Sequence, residues 1–203
     1  MSYAARVTLV VSLLVVASHS ALAIREFDIR TIESLGRKLY EKSQQGSGSQ
    51  SKLDQRAVRS AKDVLTGVDL RGYRFVVIPD PKGSGCLVYA LATSAKLDEI
   101  VAGIHYRVTV SADGTRAERV DALSRSRVVV TPKALPKGYK KLAGFVLGQV
   151  VSDKPVETFV YLTLQHRVPC MIVTPDESVW WIESGKISKD KKKASEFKPG
   201  DSQ

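Results

Sequence analysis

Cysteine is scarce in this chain, with only Cys86 and Cys170 among 203 residues, and histidine is nearly as rare, at three. Neither type occurs in close pairs, so the sequence has no compact metal motif of the kind that zinc ribbons and fingers use. No serine occupies a G-x-S-x-G elbow, and no two carboxylates stand at a spacing that suggests paired acid and base work. The glycines of "PKGSGC" precede an apolar run with strand character, so they lack the helix N-terminus that a phosphate loop requires and read as a tight turn. No unbroken apolar stretch approaches the ~20 residues of a membrane-spanning helix. Acidic residues are also short, 21 against 31 Lys and Arg, for a formal net charge of +10. That balance favours anionic partners such as phospholipid head groups, lipopolysaccharide or acidic polysaccharide.

The N-terminus does have a clear pattern. Arg6 precedes an apolar run from Val7 to Ala17, and small residues end the segment at Ala21, Leu22 and Ala23. This is the plan of a secretory signal over residues 1–23, with cleavage expected after Ala23. Export to the periplasm or beyond makes nucleic acid, the usual partner of basic proteins, an unsuitable one. The chain from residue 24 has the length of one domain.

The periodicity changes once along the chain. From Asp28 to Ser43, apolar Ile29, Ile32, Leu35, Leu39 and Tyr40 recur at helical spacing behind an Asp28 N-cap. The polar stretch "SQQGSGSQSK" reads as a linker, and Leu53, Ala57, Ala61, Val64 and Leu65 mark a second amphipathic helix stopped by Gly67. Beyond Gly72 alternation takes over. "RFVVIPD" and "CLVYALATS" read as inner strands, and "GIHYRVTVSADGTRAERV" as a hairpin turning at "ADG". In that hairpin Ile104, Tyr106, Val108 and Val110 share one face, whereas His105, Arg107, Thr109 and Ser111 are expected to face water.

After the connection "VTPKALPKGYKK", the runs "FVLGQVV" and "ETFVYLTLQH" flank "SDKP" and suggest a second hairpin, although the first of them also suits a buried helix. "CMIVTPDESVWWI" suggests a third hairpin, with its turn over Thr174 to Ser178. The lysine-rich stretch from Ser188 to Gln203 is expected to be a disordered basic tail. The expected architecture is therefore α+β: two N-terminal helices packed on a largely antiparallel sheet of about seven or eight strands, in a single domain over residues 24–187. The segments "HYRVTVSADGTRAERV", "VETFVYLTLQHRVPCMIV" and "VWWIESGKI" resemble a group of exported proteobacterial proteins of unknown function. The resemblance implies an envelope location and no activity or site residues.

The short stretch "LQHRVPC" raises the question of a Cys/His dyad. His166 and Cys170 are four positions apart with Pro169 between them, so spacing does not hold them together, and a thiolate needs a base beside it. Zinc on Cys86, Cys170, His105 and His166 is disfavoured by their wide separation. In an oxidising compartment two cysteines most often pair with each other, so a Cys86–Cys170 disulfide is the expectation. Trp180 and Trp181 point to opposite faces of one strand, so one is expected in the core and the other at the surface. No cofactor and no catalytic residue is expected. The functional reading is an exported, non-enzymatic binding or accessory protein of the bacterial envelope, working on an envelope protein or an anionic envelope component, with peripheral membrane contact through the basic tail. The alternative is a small envelope hydrolase whose site is assembled from residues distant in sequence.

Overall fold

The computed structural model describes residues 24–45, 50–96, 99–131 and 144–197. The expected export signal over residues 1–23 lies outside the described residues, as do most of the "VTPKALPKGYKK" connection and the last six positions. Among the described residues the fold is mixed α+β, with three α-helices and ten strands in three sheets.

Helix α1, Ile29–Gln44, starts where the Asp28 carboxylate accepts the Thr31 N–H, and it buries Ile32, Leu35 and Leu39. Helix α2, Lys52–Val64, opens on a capping box in which the Ser51 hydroxyl accepts the Asp54 N–H and the Asp54 carboxylate accepts the Ser51 N–H. It buries only small residues, Ala57 and Ala61, and so lies close to the sheet beneath it.

That sheet is antiparallel, in the order β1 (Tyr73–Pro79), β2 (Cys86–Ala92), β4 (Tyr106–Val110), β5 (Ala117–Ala122). β1 and β2 are largely apolar on both faces because both faces are covered. Val88, Ala90, Val108 and Val110 pack under α2 with Ala57, Ala61 and Leu65. Val76, Ile78, Leu87, Tyr89 and Leu91 belong to the larger core with α1. A minor ladder joins β3 (Ile100–Val101) to β6 (Val129–Val130).

The third sheet runs β10 (Lys186–Lys193), β9 (Ser178–Glu183), β8 (Cys170–Val173), β7 (Phe145–Gly148). Here two expectations fail. "ETFVYLTLQH" is no strand: Glu157–His166 is helix α3, the crossover that makes β7 and β8 parallel neighbours. Its residues from Glu157 to Thr163 are all buried, since it packs against α1 and β9. A helix enclosed on all sides has no polar face, so its sequence lacks the helical period. The sheet of seven or eight strands is likewise replaced by two four-stranded sheets and one two-stranded ladder.

Two further corrections concern polar residues. His105, Arg107 and Thr109, expected to face water, are buried at 1%, 1% and 8% exposure, because that face of β4 turns towards α3. Residues 188–193, expected within a disordered tail, form most of β10, which pairs antiparallel with β9 through Ile187 opposite Ile182 and Ser188 opposite Trp181. Within that sheet Trp180 is buried and Trp181 exposed, as their alternation requires.

Candidate functional site

Two groups of polar residues stand out, and they differ in whether their hydrogen-bonding capacity is used. The first surrounds Arg107. Cross-strand register places Tyr89, Arg107 and Asp121 in one row, and the first turn of α3 brings Glu157 beneath them. The guanidinium donates to Glu157 Oε1 at 2.6 Å and to Asp121 Oδ2 at 2.7 Å, and it also donates to the Arg25 carbonyl. The Tyr89 hydroxyl donates to Glu157 at 2.7 Å. Around this centre the Arg25 side chain clasps Asp80 at 2.6 and 2.9 Å, and its backbone N–H reaches Asp121. Phe27 is overlaid by the Arg107 cation at 4.8 Å.

The electrostatics match this enclosure. Burial and then the negative Glu157 push the Tyr89 phenol well up. Burial works against the Arg107 charge, but Glu157, Tyr89 and Asp121 outweigh it and raise its pKa further. Burial likewise opposes the Asp80 charge, and the Arg25 hydrogen bond outweighs it to hold the carboxyl below its usual range. The adjoining cavity has about 10 Å³, room for one water molecule. The network fastens residues 24–28 to β4, β5 and α3.

The second group lines an open cleft of about 320 Å³ beside β1. Its walls are the end of α1 (Lys42, Ser43, Gln44), the start of α2 (Asp54), Gln45 and Gln50, and its floor is Arg74, Phe75, Val76 and Val77 of β1. Strand β1 is an edge of its sheet. The Asp80 N–H bonds the Gly85 carbonyl and the Thr93 N–H bonds the Gly72 carbonyl. Counting by twos between these pairs, Arg74, Val76 and Ile78 direct their backbone groups to β2. Tyr73, Phe75 and Val77 therefore direct theirs to the open edge. The Tyr73 N–H is taken by the Leu70 carbonyl, whereas the N–H and C=O groups of Phe75 and Val77 meet no partner among the described residues.

The residues singled out from sequence do not assemble. Cys86 and Cys170 are both free, so the expected disulfide is absent. Cys86 begins β2 and packs on the α2 side, whereas Cys170 lies in β8 within the other core and a different sheet. Burial pushes the Cys86 thiol up to about 11 and raises the Cys170 thiol well above its usual value, which holds both sulfurs protonated. His166 closes α3, and its half-buried setting lowers its pKa; the Cys170 thiol instead donates weakly to the Met171 carbonyl. His105 bonds the Ala92 N–H through Nδ1 and the Val101 carbonyl through Nε2, and burial lowers its pKa to about 4. Among the described residues no three His, Cys, Asp or Glu side chains gather as metal ligands, and no helix is long and apolar enough to cross a membrane.

Sequence reasoning missed Arg107, Glu157 and the open edge of β1. The first two had a signal: each is a single charge embedded in an otherwise apolar segment. No protein-family model matches this sequence, and no curated protein and no solved structure matches it.

Proposed function

We propose that this protein is an exported binding or accessory protein of the bacterial envelope, and that it holds its partner in the cleft beside β1. The observation that supports this reading is the cleft itself: about 320 Å³, within the range of small binding sites, floored by an edge strand whose backbone groups at Phe75 and Val77 meet no partner among the described residues. Its polar lining offers orientation, and Lys42 and Arg74 against Asp54 give it a net positive character that suits an anionic partner. A hydrolase would need an accessible activated group. The most strongly shifted groups, Tyr89 and Cys170, are instead enclosed by the core.

Site-specific photocrosslinking in a proteobacterial host tests the proposal. A photoreactive phenylalanine in place of Lys42 is expected to yield a discrete adduct in the envelope fraction, whereas one in place of Glu118, on the opposite edge, is not. Equal adducts from both positions, or none from position 42, would count against the cleft as the binding site.

A further inference from the structure

The cations of this chain differ in whether a carboxylate holds them. Arg25, Arg37, Arg71 and Arg116 each pair with a neighbouring carboxylate, and Lys186 and Lys193 of β10 pair with Glu33 and Asp176. Helix α2 is different. Its outward charged residues are Lys52, Arg56, Arg59, Lys62 and Asp63, four cations to one carboxylate, and all five are exposed. Among the described residues none of these four cations forms an ion pair: Arg56 donates only to the Asp113 carbonyl, and Lys62 lies over the Phe75 ring at 4.9 Å. The other acidic residue of the helix, Asp54, is taken up by the capping box. Apolar side chains are left in water at the same place. Of the five large apolar residues exposed among the described ones, three lie on or beside α2: Leu53, Val64 and Val120, at 40%, 42% and 43% exposure. Leu53 and Val64 are eleven residues apart, close to three whole turns, so they project in nearly the same direction at a separation of ~16 Å. That flank of the helix faces the β4–β5 hairpin, since the Ser60 hydroxyl donates to the Gly114 carbonyl at 2.9 Å. Val120 of β5 emerges on the same side of the sheet, because its register partner Val108 packs under α2.

We infer that this face of the protein docks on a membrane rich in anionic phospholipid. Arg56, Arg59 and the cations beside them meet the head groups, and Leu53, Val64 and Val120 enter the boundary between head groups and acyl chains. Cations alone would suit any polyanion, and the aliphatic side chains decide between them. An acidic polysaccharide has nothing apolar to cover them. A protein partner buries its apolar contacts in packed pockets, whereas these side chains stand singly along a convex helix. A bilayer needs no pocket, and it takes up isolated aliphatic side chains beside cations from helices that lie in its interface. Helix α2 is already folded onto its sheet through Ala57 and Ala61, so docking orders no new backbone. The net charge of +10 draws the chain towards an anionic surface from a distance. The lysines of β10, in the part of the sequence expected to make such a contact, are less suited to it: Lys186 and Lys193 are ion-paired, and Lys189 covers the Trp180 ring at 5.0 Å. Leu53, Arg56, Arg59, Val64 and Val120 are not among the residues that line the cleft beside β1, so the two surfaces can be tested separately.

The test is flotation of the chain from residue 24 with vesicles of phosphatidylglycerol and phosphatidylethanolamine at 0.1 M salt, with phosphatidylcholine vesicles as the neutral control. The native chain is expected to float with the anionic vesicles alone. Arg56→Gln combined with Arg59→Gln is expected to weaken binding about 25-fold, since each cation near an anionic surface contributes about fivefold. Lys189→Gln combined with Lys191→Gln removes the same charge from β10 and is expected to change binding by less than about twofold, because attraction at this salt reaches only ~10 Å. Val64→Trp reports insertion: brominated lipid in the anionic vesicles is expected to quench the fluorescence that this substitution adds, and inorganic phosphate to leave it unchanged. All five positions are exposed, so each variant is expected to unfold at the temperature of the native chain. No flotation of the native chain, or equal losses from the two double variants, would overturn the docking face. Loss confined to the α2 variant, without quenching at position 64, would show that the cations act alone, and would overturn the bilayer as the occupant that the aliphatic side chains select. None of these outcomes bears on the crosslink at position 42, so the cleft and the docking face can fail independently.

Discussion

Around Arg107 and beside β1 the protein uses polar groups in opposite ways. At Arg107, charged side chains from β4, β5 and α3 are removed from water, and each finds a partner. At β1, backbone groups that a sheet normally pairs find no partner among the described residues and face a cleft. The strongest shifts in proton affinity belong to the enclosed residues, so perturbed titration here marks the scaffold. The surface proposed for binding is marked instead by backbone groups without partners among the described residues. A buried ion network is costly to assemble and costlier to break, because truncating one member leaves the others charged and unsolvated.

The largest expected effect follows from that. Arg107→Met leaves Glu157 buried without its cation and strips Asp121 of one of its two, Arg119 remaining at 2.6 Å, and should lower the unfolding free energy by about 3–5 kcal/mol in urea denaturation. Any remaining folded protein should still bind at β1; loss of binding by a fully folded variant would break the comparison.

Next is a dependence on pH. His105 is held neutral by burial, with its pKa lowered to about 4 from an ordinary 6.5. The unfolded chain takes up a proton below 6.5 and the folded chain does not until about 4. This residue therefore leaves stability constant above pH 6.5 and erodes it as pH falls to about 4, by up to about 3 kcal/mol. Chemical denaturation at pH 7.5 and 4.5 should show a steeper decline for the native chain than for His105→Gln.

A smaller loss is expected at the contact that sets Glu157 in place. A Cβ on Gly36 of α1 would lie 2.4 Å from Val160 Cβ and 2.8 Å from the Glu157 carbonyl oxygen in α3. Gly36→Ala should therefore force the helices apart and cost about 1–3 kcal/mol, read as a lower midpoint of thermal unfolding. The cysteines give the smallest effect. Intact mass should be the same with and without reductant, and two thiols should alkylate only after denaturation, because Cys170 is fully enclosed and Cys86 half-buried.

The elements that could be read from sequence are those with one exposed side or a strong local signal. Asp28, Ser51 and the spacing of Ile32, Leu35 and Leu39 mark α1 and α2, and "ADG" marks the β4–β5 turn. Helix α3 could not be read, because residues such as Val160, Tyr161 and Thr163 favour strands and its complete burial removes the amphipathic pattern. Arg107 was assigned to water on the rule that an antiparallel sheet keeps one wet face, which fails where α2 covers one face and α1 and α3 the other. β10 was hidden by its lysines: composition argues for disorder, yet Ile187 anchors the strand in the core and β9 supplies its ladder. The open edge of β1 is a property of strand order, which no local pattern specifies.

Amide hydrogen exchange of the free protein, resolved residue by residue along β1, tests the central claim most directly. The account predicts alternation: slow exchange at Arg74, Val76 and Ile78, whose N–H groups bond β2, and fast exchange at Phe75 and Val77, whose N–H groups face the cleft. Uniformly slow exchange through Phe75 and Val77 would mean that the edge is already paired, and would contradict it.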